Sequence, residues 1–429
     1  MHNGCVLGNW FVCNIKTGES FPGSMPKVRR LVHRCNHLVH PGVHAKLELS
    51  KHIFHGEIKM GRQAIFLSSP EVWERGHGIV HPLKPERLKR TFRLLEAYNA
   101  FQVSNVDILT PEPASDDELM LFHTKEYLEA VKALSRGEIS IPAGRYGFGP
   151  GDNPVFAGMY ETERLKAGSS LMGARLLFRG ECDVAFSYSG GLHHAGKDFA
   201  SGFCVFNDAV IAIKWLIQNG LRVAYVDIDV HHGDGVQWAF YDIDQVLTIS
   251  LHQDGRTLFP GTGFVDEIGR GAGEGYCVNV PLPPDTGDGN YLWAFREIVP
   301  PLLKRFNADI VVTQLGVDTH YKDPLAQMAL TTHGQQELFQ ILREFAPRWL
   351  ALGGGGYAID VVPRAWTIAF GVMSGQTFAD EIPPDYCREY GGEWLHDHEQ
   401  PTLGKEKAHR IRTLIESTIL ILKKLHHIG

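Results

Sequence analysis

A single α/β domain, with a parallel sheet covered by helices on both faces, is the fold this sequence predicts. Three observations carry the prediction. Almost continuous apolar runs of strand length recur along the chain, as buried parallel strands require. Segments with apolar residues at helical spacing lie between them. No repeat and no internal linker interrupts the alternation from residue 63 to residue 390. The chain has 429 residues, of which 44% are hydrophobic, so it has apolar material for a large core and global disorder is excluded.

The elements follow in order. Residues 63–68, Gln-Ala-Ile-Phe-Leu-Ser, read as the first strand. Residues 87–99 carry leucines and Phe92 at helical spacing behind Pro82 and Pro85, which mark a helix start. Residues 116–134 read as one helix with an acidic first turn, and 144–153 as a glycine-rich loop. A helix at 162–178 has small residues for close packing, and a short strand follows at 184–188. A helix at 207–218 ends at Asn219-Gly220, a stop signal. Strands are read at 222–229, 246–251, 309–316 and 349–352, with helices at 291–306 and 335–345. Residues 405–424 form a terminal amphipathic helix. The domain is expected to cover 63–390, with 391–429 a C-terminal extension.

Charge divides the chain unevenly. The formal net charge is −7, yet residues 1–60 hold eight Lys/Arg against three Asp/Glu, with seven of the 22 histidines and three of the seven cysteines. That is +5 in front of a body of −12. Residues 1–62 are therefore read as an atypical basic leader, disordered or not part of the mature chain, with Met60 as an alternative start. The acidic body argues against direct binding to nucleic acid. Scattered cysteines, odd in number and without a Cys-x-x-Cys pair, argue against a disulfide framework and for a reducing, cytoplasmic setting. No run of about 18 apolar residues suggests a membrane span.

The chemistry is expected at strand ends, where open α/β sheets bind ligands. Residues 222–229 run straight into Val230-His231-His232-Gly233-Asp234-Gly235. Alternation puts Asp227, Asp229 and His231 on one face if strand geometry continues. Three polar residues on one face of a buried strand are costly unless something binds them. Asp318, at the end of another apolar strand, would complete an Asp/His/Asp set. Three protein ligands that leave a position open suit a catalytic zinc, and the oxygen-rich set also suits Fe(II) or Co(II). His193 and His194 follow two glycines after a strand and suit a general base with its partner. Gly353 to Gly356 precede Tyr357, placing a hydroxyl donor on a loop of unusual backbone freedom. A phosphate loop is excluded there by the missing Gly-Lys-Ser/Thr ending.

Four motifs in order resemble the histone deacetylase superfamily over residues 64–380: Gly191-Leu-His-His194 with the following run to Asp208, Tyr225 to Gly235, Gly316-Val-Asp-Thr-His320, and Leu352 to Tyr357. The acetoin-utilisation deacetylases of prokaryotes are the most similar branch. The resemblance implies the arginase/deacetylase fold with eight parallel strands, and hydrolysis of acetyl-lysine amides. It makes Asp229, His231 and Asp318 the zinc ligands, His194 the general base and His193 its partner, paired with Asp234 and Asp227. Tyr357 then polarises the amide carbonyl. Phe203 and Phe259 wall the acyl-lysine tunnel, with Leu325 and Gly355 also against the substrate. Asp152 is the rim acid that holds the substrate backbone, and Arg87 belongs to the acetate-exit pocket. A structural potassium ion is implied near Asp227, Asp229, His231, Ser250 and Leu251, and a second monovalent site near Phe240, Val246 and Tyr276.

An acetylated protein or peptide is the implied partner, with acetyl-CoA synthetase suggested by the acetoin-utilisation branch. The acidic body would favour the cationic surroundings of an acetylated lysine. Three rivals stand beside this reading. An acetylpolyamine amidohydrolase wants an acidic gate, where this chain has Leu325 after Asp323-Pro324. An arginase-like ureohydrolase needs a second metal that Val230 and His232 do not support. A non-catalytic acyl-lysine-binding scaffold would not need every motif residue intact.

Overall fold

The computed structural model describes residues 62–78 and 80–429; the basic leader and the Met60 start, apart from Arg62, lie outside them. The chain enters at β1 (Ala64–Leu67), passes through the single-turn α1 (Glu71–Glu74) and α2 (Glu86–Ala97), and continues as β2 (Val106–Leu109). Helices α3 (Asp116–Leu119), α4 (Lys125–Ser135) and α5 (Met159–Arg179) precede β3 (Val184–Ser187). Helix α6 (Asp208–Gln218) leads to β4 (Val223–Asp227), and α7 (Asp234–Phe240) to β5 (Val246–Gln253) and β6 (Cys277–Leu282). Then come α8 (Asp288–Phe306), β7 (Ile310–Gln314), α9 (Thr332–Phe345) and β8 (Trp349–Leu352). Helices α10 (Val361–Ser374), α11 (Pro384–Tyr390) and α12 (Lys405–Leu425) end the chain.

All eight strands pair in parallel in one sheet, in the order β2-β1-β3-β8-β7-β4-β5-β6. Side-chain parity divides the core in two. Phe66, Phe186 and Val226 pack with Phe295, Phe339 and Phe370 from α8, α9 and α10. Their strand neighbours Ile65, Leu67 and Tyr225 pack on the opposite face with Val131, Leu171 and Ile211 from α4, α5 and α6. Both faces being covered explains why the central strands are mostly apolar.

Several features depart from the pattern read in the sequence, the unread helix α10 among them. The strands β2 and β6 go unrecognised there, and both are sheet edges. In β2 the residues Asp107 and Ile108 are exposed, so no apolar run marks it. In β6, Asn279 and Pro281 break the strand signature; proline is tolerated at an edge because its missing N–H costs no ladder bond on the outer side. The helix expected over 116–134 is two helices. Ser115 and Glu118 form a capping box on α3, and Thr124 caps α4 by accepting from the Tyr127 N–H. The break between them is used, because His123 accepts the Asn207 N–H at 3.0 Å.

Residues after 390 pack into the same body. Ile411, Ile415, Ile419 and Leu422 recur along one stripe of α12 and are buried in the core that α8 also serves. Among the described residues no helix is long and apolar enough to cross a membrane.

Candidate active site

The four central strands β3, β8, β7 and β4 are consecutive in the sheet and parallel, so their carboxyl ends meet at one edge. Each supplies one motif. After β3 come His193 and His194; after β8, Gly353 to Tyr357; after β7, Asp318; after β4, Asp229 and His231. The strand β4 stops at Asp227, two residues short of the expected end, and β7 stops at Gln314. Leaving the ladder there frees Asp229 and Asp318 to turn towards each other.

Asp229, His231 and Asp318 are all buried, and one ligand atom from each lies within 4.8 Å of the others. The His231 Nδ1 is 3.1 Å from Asp229 Oδ1 and 3.2 Å from Asp318 Oδ2. Burial and the charge of Asp229 push the Asp318 carboxyl up to about 7. Burial opposes charge on His231, but its bonds to both carboxylates prevail and raise it to about 10. Two buried carboxylates around one imidazole are short of positive charge, which fits a divalent cation. The cradle is also tight: a Cβ on Gly355 would stand 2.0 Å from Asp318 Oδ2, so only glycine fits there. The Gly355 N–H donates to Asp229 Oδ2 at 2.7 Å.

Beside this group lie two imidazole–carboxylate pairs. His193 Nδ1 is 2.8 Å from Asp227 and His194 Nδ1 is 2.7 Å from Asp234, with the imidazole rings 4.0 Å apart. The pairings are those the resemblance implied. Burial opposes charge on His193, yet Asp227 and Asp229 outweigh it and raise it to about 9. Burial and the neighbouring His193 hold His194 below its ordinary value despite Asp234. The two imidazoles are thus shifted in opposite directions, His193 up and His194 down.

Phe203, Phe259 and Tyr357 surround the centre. The Phe259 ring is 5.0 Å from His194, Phe203 is 5.6 Å from Tyr357, and Tyr357 is 6.4 Å from His231. Buried Arg87 donates to the Gly356 carbonyl at 3.1 Å, directly before Tyr357, and sits over Trp366. Asp152 is exposed; its carbonyl meets His81 Nε2 at 3.1 Å, and His81 packs on Phe203. Leu325 is half-buried, its N–H donating to Asp323 at 2.9 Å. Ser250 pairs in register with Asp227, and its hydroxyl bonds His252 Nδ1 at 2.8 Å; the Leu251 carbonyl accepts from the Tyr291 hydroxyl at 3.2 Å.

Sequence reasoning missed the residues that hold these groups in place. Asp323 accepts the Tyr357 N–H at 2.7 Å as well as that of Leu325, tying two loops together. Gln314 donates to Asp229 Oδ2 at 2.6 Å. Asp208 accepts the N–H groups of Gly191 and Leu192, which shapes the turn before His193. Tyr225 donates to Asp227 at 2.7 Å. Each is a polar residue inside an apolar run or beside a proline or helix start, a signal also given by ordinary turns and caps.

Comparison with known proteins agrees with this geometry. The family model described as the histone deacetylase domain matches residues 81–373. The acetoin utilization protein AcuC of Bacillus subtilis is 40% identical over 333 residues, which cover 76% of this chain and 86% of that protein. Histone deacetylase 19 of Arabidopsis thaliana is 38% identical over 371 residues, covering 85% and 73%. The solved structure of a histone deacetylase homologue from Aquifex aeolicus superposes with a TM-score of 0.75 at 31% identity, over 83% of this chain and all of that one. The eight-stranded parallel sheet is therefore the arginase/deacetylase fold. The chain belongs to the histone deacetylase family and is a hydrolase of amide bonds.

Proposed function

We propose that this protein removes acetyl groups from acetyl-lysine side chains of proteins or peptides. The observation that carries the reading is the charge-deficient Asp229/His231/Asp318 group set beside the His194–Asp234 pair and walled by Phe203, Phe259 and Tyr357. A divalent metal held by those three ligands, zinc or else Fe(II) or Co(II), would supply Lewis acidity to the amide carbonyl and acidify a water. His194, oriented by Asp234, takes the proton of the attacking water. Tyr357 donates its hydroxyl to the carbonyl oxygen as negative charge develops there. The protonated histidine then delivers a proton to the departing amine, which leaves poorly without it. His193, oriented by Asp227, keeps positive charge beside the reacting centre. Phe203 and Phe259 exclude water along the acyl-lysine stem, Leu325 contributes an apolar rim, and Asp152 would hold the substrate backbone as the rim acid. Arg87 lies behind Tyr357, suited to drawing off the acetate anion. A potassium ion near Asp227, Ser250 and Leu251 would steady the same strand ends. The AcuC likeness makes an acetylated acetyl-CoA synthetase a reasonable substrate, with turnover in the cytoplasm.

The test is kcat/KM on acetyl-lysine peptides, longer acyl-lysine peptides and acetylspermidine, before and after chelation and with zinc, iron or cobalt restored. Acetyl-lysine peptides should be preferred, and activity should vanish on chelation and return with metal. A clear preference for acetylspermidine would reverse the substrate assignment. Full turnover after verified metal removal would overturn the metal.

A further inference from the structure

A cavity of about 790 Å³ lies against the catalytic pair without belonging to the acyl-lysine tunnel. His194 and Asp234 form part of its wall, but Phe203, Phe259 and Tyr357 do not line it. Its other walls are the start of α4, the loop 196–199, and the faces of α6 and α7. The volume is that of an ordinary small-molecule site.

Its charge runs against the rest of the molecule. Lys125, Lys197 and Lys214 converge there, although the chain as a whole is acidic. The lysines that pair with carboxylates among the described residues are Lys132, Lys166, Lys407 and Lys423, and none of these lines the cavity. Lys125 and Lys197 are exposed, whereas Lys214 is half-buried. Burial and then the charge of Lys197 push the Lys214 ammonium below its ordinary value, so the two cations feel each other. The Asp234 carboxylate in the wall is already engaged, 2.7 Å from His194 and 2.9 Å from the Gly235 N–H. Asp198 and Asp234 put two negative charges in the wall against three positive ones.

Two aromatic rings are also braced in exposed positions. Phe199 is 46% exposed and lies against Gly196, where a Cβ would come within 2.3 Å of the ring. Trp238 is 50% exposed and is supported from behind by Tyr241, with ring centroids 4.9 Å apart. Exposed rings held in place beside unpaired ammonium groups make a platform for a flat, anionic ligand. We propose that this cavity binds a ring-bearing phosphate anion of the nucleotide class, its phosphates on Lys197 and Lys214 and its ring against Phe199 and Trp238.

Titration calorimetry on the full, metal-loaded chain tests this, with magnesium in excess so that phosphates do not strip the centre. Adenosine diphosphate, inorganic pyrophosphate and adenosine are the three probes. Saturable binding of the diphosphate is expected, weakened about tenfold or more in Lys197→Ala and in Lys214→Ala, as loss of a charge-assisted bond implies. Trp238→Ala should weaken the diphosphate about tenfold and leave pyrophosphate within about twofold. Thermal unfolding of each variant, expected to show a midpoint close to that of wild type, establishes that it is folded. Failure of the diphosphate to bind at millimolar concentration, or binding indifferent to both lysine variants, would overturn the proposal. Equal affinities for pyrophosphate and the diphosphate would overturn the ring assignment, and tighter binding of adenosine than of the diphosphate would overturn the anion site.

Discussion

Two buried carboxylate clusters, around Asp397 and Asp318, meet the chain two residues apart, at His320 and Asp318, and solve the same problem in opposite ways. Asp397, 6% exposed, accepts from His320 Nε2 at 2.7 Å, from the Thr332 N–H and hydroxyl, and from Arg364 at 3.0 Å. Burial would raise its carboxyl, but these donors hold it well below the ordinary carboxylate range. Asp318 is fully buried too, yet it faces another carboxylate and shares one imidazole, and its carboxyl is pushed up to about 7. The first cluster is saturated by the chain's own cation and donors. The second is left short of positive charge. Burial alone therefore does not mark a binding site; a deficit of positive charge around buried carboxylates does.

Removing one charge from each cluster gives the sharpest contrast. Asp318→Asn should abolish tight metal binding and lower kcat by about 10³ or more, since a metal's Lewis acidity is worth several kcal/mol. The metal-free variant should unfold no more easily than metal-free wild type, because a repulsive buried charge is gone. Bound-metal analysis and thermal unfolding check both halves; marked destabilisation would break the comparison. Arg364→Met should do the reverse. It leaves Asp397 without its cation and should cost about 3–5 kcal/mol in urea unfolding, while the folded fraction keeps its metal and its kcat. Tyr357→Phe removes a donor that acts only as charge develops, so kcat should fall about 10²–10³ with stability unchanged. A turnover near wild type would remove Tyr357 from the mechanism. Metal at a hundredfold excess over its dissociation constant should stabilise wild type and Arg364→Met by about 2.7 kcal/mol, and Asp318→Asn not at all.

The two clusters also differ in how legible they are from sequence. Asp229, His231 and Asp318 announce themselves because each follows an apolar strand, and period-two alternation aligns the first two. The central strands are legible for a related reason: both faces are covered, so their residues are mostly apolar until the polar ones at the carboxyl ends. The edge strands are not, because β2 needs only one apolar face and β6 tolerates Asn279 and Pro281. Asp397 sits in a polar stretch of no period, and its partners His320, Thr332 and Arg364 come from three separate segments. Nothing local in the sequence links them. Asp323 and Gln314 are hidden likewise, since their role is to hold Tyr357 and Asp229 through bonds that only the folded chain creates.

Acid titration tests the saturated cluster most finely. In the fold the Asp397 carboxyl is held far below its ordinary value, whereas in the unfolded chain it titrates near about 4. As pH falls through that region the unfolded chain takes up the proton first, so protonation favours unfolding. The contribution of Asp397 is therefore complete above about pH 5 and is lost progressively as pH drops below about 4. Asp397→Asn removes the titrating group and keeps the side chain's size. Its unfolding free energy should be lower than wild type at pH 7, and the two curves should converge as pH falls towards about 3. Chemical denaturation across that range measures the convergence. Parallel curves would mean that Asp397 is held no more tightly in the fold than in the open chain, and the contrast with Asp318 would then rest on geometry alone.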